Sequence, residues 1–339
     1  MQATEQMYAI VRRKYGTPDV LSYERVTRPV PGDEDVLVQV HAVGASIGDY
    51  IMVTGKPYLI RLTPYGGLPR PRNPVPGACM AGRVAAVGAK VTMFRTGDEV
   101  FGEAVTGAFA EYVVVPAKLI APKPTNLTFE EAAVAPWAIA ALQGLRDVGG
   151  LKAGQRLLIN GASGGVGTWA VQIAKSIGAH VTAVCSTRNV DMIYALGADD
   201  VIDYTKEDFV TGGPRFDVVF DTVGNRSLSD SRRVLTPDGT YVSCSGGDSG
   251  VGWLFGLAVL SLLALFTRQK LKALFTNPNR DDLLFLKKLI EAGPLRPVIE
   301  RRYPLREVGN ALRHVGKRRS QGQTVIQVVG ANAKLIADG

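Results

Sequence analysis

The apolar positions change their spacing near residue 127. Before that point they fall in short β-branched runs broken by Pro and Gly. Val36-Leu37-Val38-Gln39-Val40 and Glu111-Tyr112-Val113-Val114-Val115 read as strands, as does the segment between Gly82 and Gly88. Gly97-Asp98-Glu99-Val100 reads as a turn entering a further strand. Beyond Leu127, strand-like runs alternate with stretches at helical spacing. The strands predicted are Arg156–Asn160, His180–Cys185, Phe216–Phe220 and Thr240–Ser243. One helix should follow the glycines after Asn160, run to Ile177 and stop at Gly178. Another should start under an Asn279 cap, run to Glu291 and stop at Gly293. The tail from Pro297 to Val329 returns to strand-like runs. The β-α-β alternation predicts a doubly wound parallel sheet.

Length and charge narrow this picture. A chain of 339 residues is long for one ordinary domain, so two are expected. Apolar residues at 46% and charged residues at 21% suit a globular core. The net charge of +8 is scattered. Its densest runs, Arg12-Arg13-Lys14 and Lys317-Arg318-Arg319, lack interleaved aromatics, so a solvated surface is expected and no nucleic-acid partner. Cys79, Cys185 and Cys244 are odd in number and far apart, which excludes a disulfide scaffold and a CxxC metal pair. A reducing, cytoplasmic location is the expectation. The first residues carry no apolar stretch of the secretory kind. Val251 to Phe266 is almost wholly apolar but shorter than the roughly 20 residues of a spanning helix. It is expected to form a pocket lid buried against a second subunit of a homodimer. A peripheral membrane contact by the basic stretch after it is the lesser alternative.

The chemistry centres on Asn160-Gly161-Ala162-Ser163-Gly164-Gly165-Val166-Gly167. Ala162-x-Gly164-x-x-Gly167 fits the dinucleotide fingerprint. Its first small residue permits the tight turn, the second lets backbone approach a pyrophosphate, and the third lets helix and strand pack closely. The phosphates would meet amide N–H groups and the positive end of the helix dipole, with Ser163 adding a hydroxyl. The end of the second strand should select the cofactor. An NAD-binding chain usually has an acid there for the ribose 2′-OH. Here Cys185-Ser186-Thr187-Arg188-Asn189 contains none before Asp191. Hydroxyls and the fork-shaped Arg188 cation suit a 2′-phosphate, so the expected cofactor is NADPH.

Pro76-Gly77-x-x-x-Ala81-Gly82-x-Val84-x-x-Val87-Gly88, Gly97-Asp98-Glu99-Val100-Phe101-Gly102, the glycine loop, Leu196-Gly197-Ala198-Asp199-Asp200-Val201-Ile202-Asp203-Tyr204 and Asp221-Thr222-Val223-Gly224 occur in order along nearly the whole chain. This set resembles the medium-chain dehydrogenase/reductase superfamily, closest to its quinone oxidoreductase branch. The resemblance implies an α/β fold in which a Rossmann-type domain, residues 127–297, is inserted into a GroES-like β-barrel catalytic domain, residues 1–126 plus 298–339. It implies that Ser163, Gly164, Gly165 and Val166 hold the pyrophosphate region. Ser186 and Arg188 would hold the 2′-phosphate, and Tyr204 would lie beside it. The backbone of Val223 to Asn225, and of Ser243 to Ser245, would approach the nicotinamide.

Relatives with catalytic zinc carry a Cys and then Gly-His-Glu. Here Ser46 stands near the first position and Gly77-Ala78-Cys79 replaces the second, and nothing resembles the lobe of four cysteines that holds structural zinc. No metal is therefore expected. Ser46, Asp49 and Tyr50 occupy the place of a substrate-pocket motif. Tyr50 either donates a proton or only lines the pocket. Without a metal, direct hydride delivery to a quinone or an α,β-unsaturated carbonyl is the expected reaction, because the acceptor's own carbonyl delocalises the charge. Two other readings fit the same pattern: a zinc-free alcohol dehydrogenase, and a low-turnover NADPH-binding regulatory or trafficking protein.

Overall fold

The computed structural model describes residues 5–63, 66–211, 213–244 and 268–328. Val251 to Phe266, expected to be a lid and interface helix, lies outside the described residues.

The chain divides into two compact units. Of the described residues, one unit takes those up to Pro136, Pro278–Ala292 and those from Ile299. The other takes Trp137–Asn277 and Gly293–Val298. These limits differ from the expected 127 and 297/298, for a local reason. Helices α2 (Phe129–Val134) and α7 (Arg280–Glu291) belong with the strands of the first unit. The Phe129 ring stacks on His41, with centroids 4.0 Å apart. The Glu130 carboxylate accepts from Arg302 and from Gln327. Glu291 accepts from the Thr125 N–H and hydroxyl at 2.9 and 3.0 Å, and Asn126 donates to the Ile290 carbonyl.

The first unit is the barrel unit. It contains β1 (Gln6–Val11), β2 (Ser22–Thr27), β3 (Asp35–Ala45), β4 (Cys79–Val87), β5 (Glu99–Glu103), β6 (Tyr112–Pro116) and β7 (Ile120–Pro122). The tail adds β14 (Ile299–Pro304) and β15 (Gln323–Gln327). β1 and β2 form a separate antiparallel pair, and the larger sheet runs β14-β15-β3-β4-β5-β7. β3 is long enough to pair β6 through residues 35–39 and β15 through residues 42–45, while β4 lies on its other side. Val36, Val38, Val40, Met80, Val100 and Phe109 are buried in one core. Two helices rest on it, α1 (Ile47–Thr54) and α8 (Val308–Gly316). α8 stands where only strand-like runs were expected. Its buried residues Val308, Ala311, Leu312 and Val315 have helical spacing, a period that the β-branched run of β15 after it obscures.

The second, nucleotide unit alternates as expected. Its strands are β8 (Arg156–Asn160), β9 (His180–Cys185), β10 (Asp200–Asp203), β11 (Phe216–Asp221), β12 (Leu235–Ser243) and β13 (Lys270–Ala273). α3 (Ala138–Leu142) precedes these strands, and the described helices between them are α4 (Gly165–Ile177), α5 (Val190–Ala195) and α6 (Leu228–Arg233). All strand pairs are parallel, in the order β10-β9-β8-β11-β12-β13. The strand order reverses between β8 and β11. In such sheets ligands bind beyond the carboxyl ends of the strands at that switch point. α4 ends as the sequence predicts, on Gly178 in the left-handed region (φ 87°).

Candidate functional site

Beyond the end of β8 the chain turns on Gly161, at φ 87°, where a Cβ would lie 2.4 Å from the Thr222 hydroxyl. Ser163, Gly164, Gly165 and Val166 are half-buried and lead into α4. The N-cap is Gly164, with no side-chain cap. The helical ladder begins with Thr168 N–H donating to the Gly164 carbonyl at 3.0 Å, so the amides of Val166 and Gly167 precede the first acceptor of the helix. A Cβ at Gly164 would meet only the Gly161 carbonyl oxygen, at 3.5 Å, which leaves open space at the helix mouth. Gly167 is the reverse. A Cβ there would sit 2.2 Å from the same oxygen, so this glycine lets α4 close against the loop. An anion fits at the mouth, as a dinucleotide pyrophosphate requires.

The second strand end is more structured than its sequence suggests. Ser186 and Arg188 lie on a short turn after β9, Ser186 half-buried and Arg188 exposed. Asn189 donates to the Ser186 hydroxyl oxygen at 3.3 Å. The Oδ1 of Asn189 is buried without a hydrogen-bond partner among the described residues. Tyr204 is exposed, and its N–H donates to the Cys185 carbonyl at 3.0 Å. Thr187, expected to face a phosphate, instead donates to Asp203 at 2.6 Å. Asp203 was missed by the sequence reading because its place is set by pairing: it lies opposite Cys185 in the β9–β10 register.

At the switch point a buried carboxylate organises the loop after β11. Asp221, 1% exposed, accepts from the Asn160 amide (2.9 Å), the N–H groups of Val223 (3.0 Å) and Gly224 (2.9 Å), and the Tyr241 hydroxyl (2.8 Å). Asn160 also donates to Asn225 at 2.9 Å, while Val223 is exposed. Burial and the Asp221 charge raise the Tyr241 hydroxyl above its ordinary range, and burial pushes the Cys244 thiol up to about 12. The loop's polar groups therefore hold one another.

In the barrel unit, Ser46 and Asp49 form the capping box of α1. The Asp49 carboxylate accepts from the Ser46 N–H and hydroxyl, both at 2.9 Å, and the Ser46 oxygen accepts from the Asp49 N–H at 3.3 Å. Asp49 is 4% exposed, and burial pushes its carboxyl up to about 6 against the opposing pull of Ser46 and Arg12. The half-buried Tyr50 ring lies against α8, where a Cβ on Gly316 would come within 2.6 Å of it. Cys79 is fully buried and its thiol is pushed well above the ordinary range. Glu103 pairs opposite Cys79. Burial and the Asp49 charge push its carboxyl up to about 7. Glu103 carried no signal in the sequence, because only the β4–β5 register brings it to Cys79.

Two family models match, an alcohol dehydrogenase GroES-like domain over residues 32–125 and a zinc-binding dehydrogenase over residues 196–326. The 2-methylene-furan-3-one reductase of Solanum lycopersicum is 32% identical over 93% of this chain and 77% of its own length. The chain belongs to the medium-chain dehydrogenase/reductase superfamily. Within that superfamily it sides with the quinone-oxidoreductase-like branch and is an oxidoreductase. A chloroplastic NADPH-dependent alkenal/one oxidoreductase of Arabidopsis thaliana is 30% identical over 95% of this chain and 80% of its own. The solved quinone oxidoreductase from Coxiella burnetii superposes with a TM-score of 0.84 at 29% identity, over 96% of this chain and all of that one. The superfamily fold, a Rossmann-type sheet with a GroES-like barrel, is the one observed. No described helix is long and apolar enough to cross a membrane.

Proposed function

We propose that the protein transfers hydride from NADPH to a quinone or an α,β-unsaturated carbonyl, without a metal. The observation that carries this reading is the anion-fitting mouth of α4 joined, one strand along, to a turn with Ser186 and Arg188 and no acid at the end of β9. The glycine loop, with Ser163, Gly164, Gly165 and Val166, would hold the pyrophosphate. Ser186, Arg188 and Tyr204 would hold the 2′-phosphate, and Val223 and Asn225 would flank the nicotinamide. Bound there, the cofactor supplies hydride; this chain's residues bind it and orient it. The name of the alkenal/one relative supports both cofactor and acceptor class.

The zinc implied by one family model's name does not fit the side chains present. The Ser46 hydroxyl is engaged with Asp49, Ala78 has no donor atom, and the Cys79 thiol is buried and held protonated. Among the described residues no group of three His, Cys, Asp or Glu could hold a metal ion. An acceptor that stabilises its own developing charge matches such a site.

The test is a panel followed at the nicotinamide absorbance. Quinones and enones should consume NADPH faster than NADH, and simple alcohols should not reduce NADP⁺. Reduction of NADP⁺ by alcohols, with quinones and enones inert, would replace this reading by a zinc-free alcohol dehydrogenase.

A further inference from the structure

Asp203 is a heavily engaged carboxylate beside the turn after β9. It closes β10, is 7% exposed, and lies opposite Cys185. One oxygen accepts from the Thr187 hydroxyl at 2.6 Å and faces the Lys206 ammonium at 3.4 Å. The other accepts from the Thr205 N–H at 3.0 Å and the Thr205 hydroxyl at 2.7 Å. The two threonine hydroxyls are themselves 2.9 Å apart. These bonds, the Thr187 hydroxyl first, hold the carboxyl well below the usual carboxylate range. It is ionised at every pH at which the protein would work.

Two consequences follow from the hydrogen-bond count. A carboxylate accepting three protein hydrogen bonds and facing an ammonium has little capacity left for a ribose 2′-OH. The bonds also run from the β9 turn to the loop after β10. That turn carries Ser186 and Arg188, and that loop carries Tyr204. Asn189, in the same turn, donates to the Ser186 oxygen, which leaves the Ser186 hydroxyl proton available to an anion.

We infer that Asp203 is a positioning residue for cofactor choice: by clamping Thr187 to Thr205 it holds Ser186, Arg188 and Tyr204 as one 2′-phosphate site and withholds its own carboxylate from the ribose. The inference rests on the NADPH reading given above. It adds that discrimination depends on an acid one strand away from the position where an NAD-selecting acid stands, and on the threonine hydroxyl that occupies it.

The experiment measures dissociation constants for NADPH and NADH, and displacement of NADPH by adenosine 2′,5′-bisphosphate and by AMP, on the whole protein. In Asp203→Ala, NADPH and the bisphosphate should weaken tenfold or more, with NADH and AMP moving less than threefold. Thr187→Val, which keeps the shape and loses the hydroxyl, should weaken NADPH in the same direction and tighten NADH. Thr187→Ser, which restores the hydroxyl, should return NADPH to within about threefold of the parent. Parallel losses for all four ligands, or no change in Thr187→Val, would overturn the positioning role and leave NADPH preference standing. A parent protein that binds NADPH and NADH equally would overturn the NADPH reading itself, and this inference with it. If Asp203→Ala does not fold, the two Thr187 variants decide the matter alone.

Discussion

The nucleotide unit holds the Asp203 carboxyl well below the usual carboxylate range, whereas the barrel unit pushes the Asp49 and Glu103 carboxyls above it. Asp221 and Asp203, at the strand ends of the parallel sheet, are surrounded by donors: an amide side chain, backbone N–H groups and hydroxyls. Asp49, buried at the start of α1, and the half-buried Glu103 on β5 have fewer donors, and desolvation outweighs what they have. Parallel strands end at loops whose amides point back at the carboxylate, and such an acid becomes a fixed acceptor. Burial outweighs the few donors at Asp49 and at Glu103, and moves their carboxyls up to about 6 and about 7. The supply of donors around the carboxylate separates Asp203 from Asp49.

The contrast can be broken most severely at Asp221. Asp221→Ala would leave the Asn160 amide, two loop N–H groups and the Tyr241 hydroxyl without their acceptor. The expected loss is at least about 3 kcal/mol, because each buried unpaired donor costs about 1–3 kcal/mol. Urea unfolding of the two proteins measures it. A loss below about 1 kcal/mol would mean that the network is not held by its carboxylate.

Glu103 gives a smaller effect of opposite character. Its carboxyl lies at about 7 in the folded chain against an ordinary value of 4.5, so the folded state keeps a proton that the unfolded state releases. Stability should therefore fall as pH rises from 4.5 to 7 and be lowest above 7. Glu103→Gln should stabilise the protein by about 2 kcal/mol at pH 8 and leave it unchanged near pH 4. Thermal melts at the two pH values check the sign. Equal effects at both would assign the gain to packing rather than to the proton.

Ser46→Ala should show the smallest change. It removes one donor to Asp49 and the cap of α1, for a cost of about 1 kcal/mol, and should move the Asp49 carboxyl further up. A carboxyl titration followed by isotope-edited infrared spectroscopy would show the shift. No movement would mean that the hydroxyl does not support the ionised form.

Much of this was legible in the chain itself. The glycine loop, its flanking strand and helix, the Gly178 stop and the Asn279 cap follow local rules, and each lies where those rules put it. What was illegible depends on register. Asp203 reaches Thr187 through the β9–β10 pairing across 16 residues of sequence, and Glu103 meets Cys79 through β4–β5. α8 was hidden because its four buried positions span only about two turns and lie just ahead of the β-branched run of β15. Ser46, Asp49 and Tyr50, expected around a substrate, are engaged locally: the first two cap α1 and the third packs on α8. A motif read one-dimensionally marks a place in the fold before it marks a contact with substrate.

The reaction we propose is metal-free hydride transfer from NADPH to an activated alkene. Chelator-treated protein, assayed with an enone and NADPH deuterated at the transferable nicotinamide position, tests it most directly by mass spectrometry of the product. Hydride transfer of this kind places one deuterium on the carbon β to the carbonyl, with turnover unaffected by chelation. Undeuterated product, or turnover lost on chelation and restored by zinc, would contradict it.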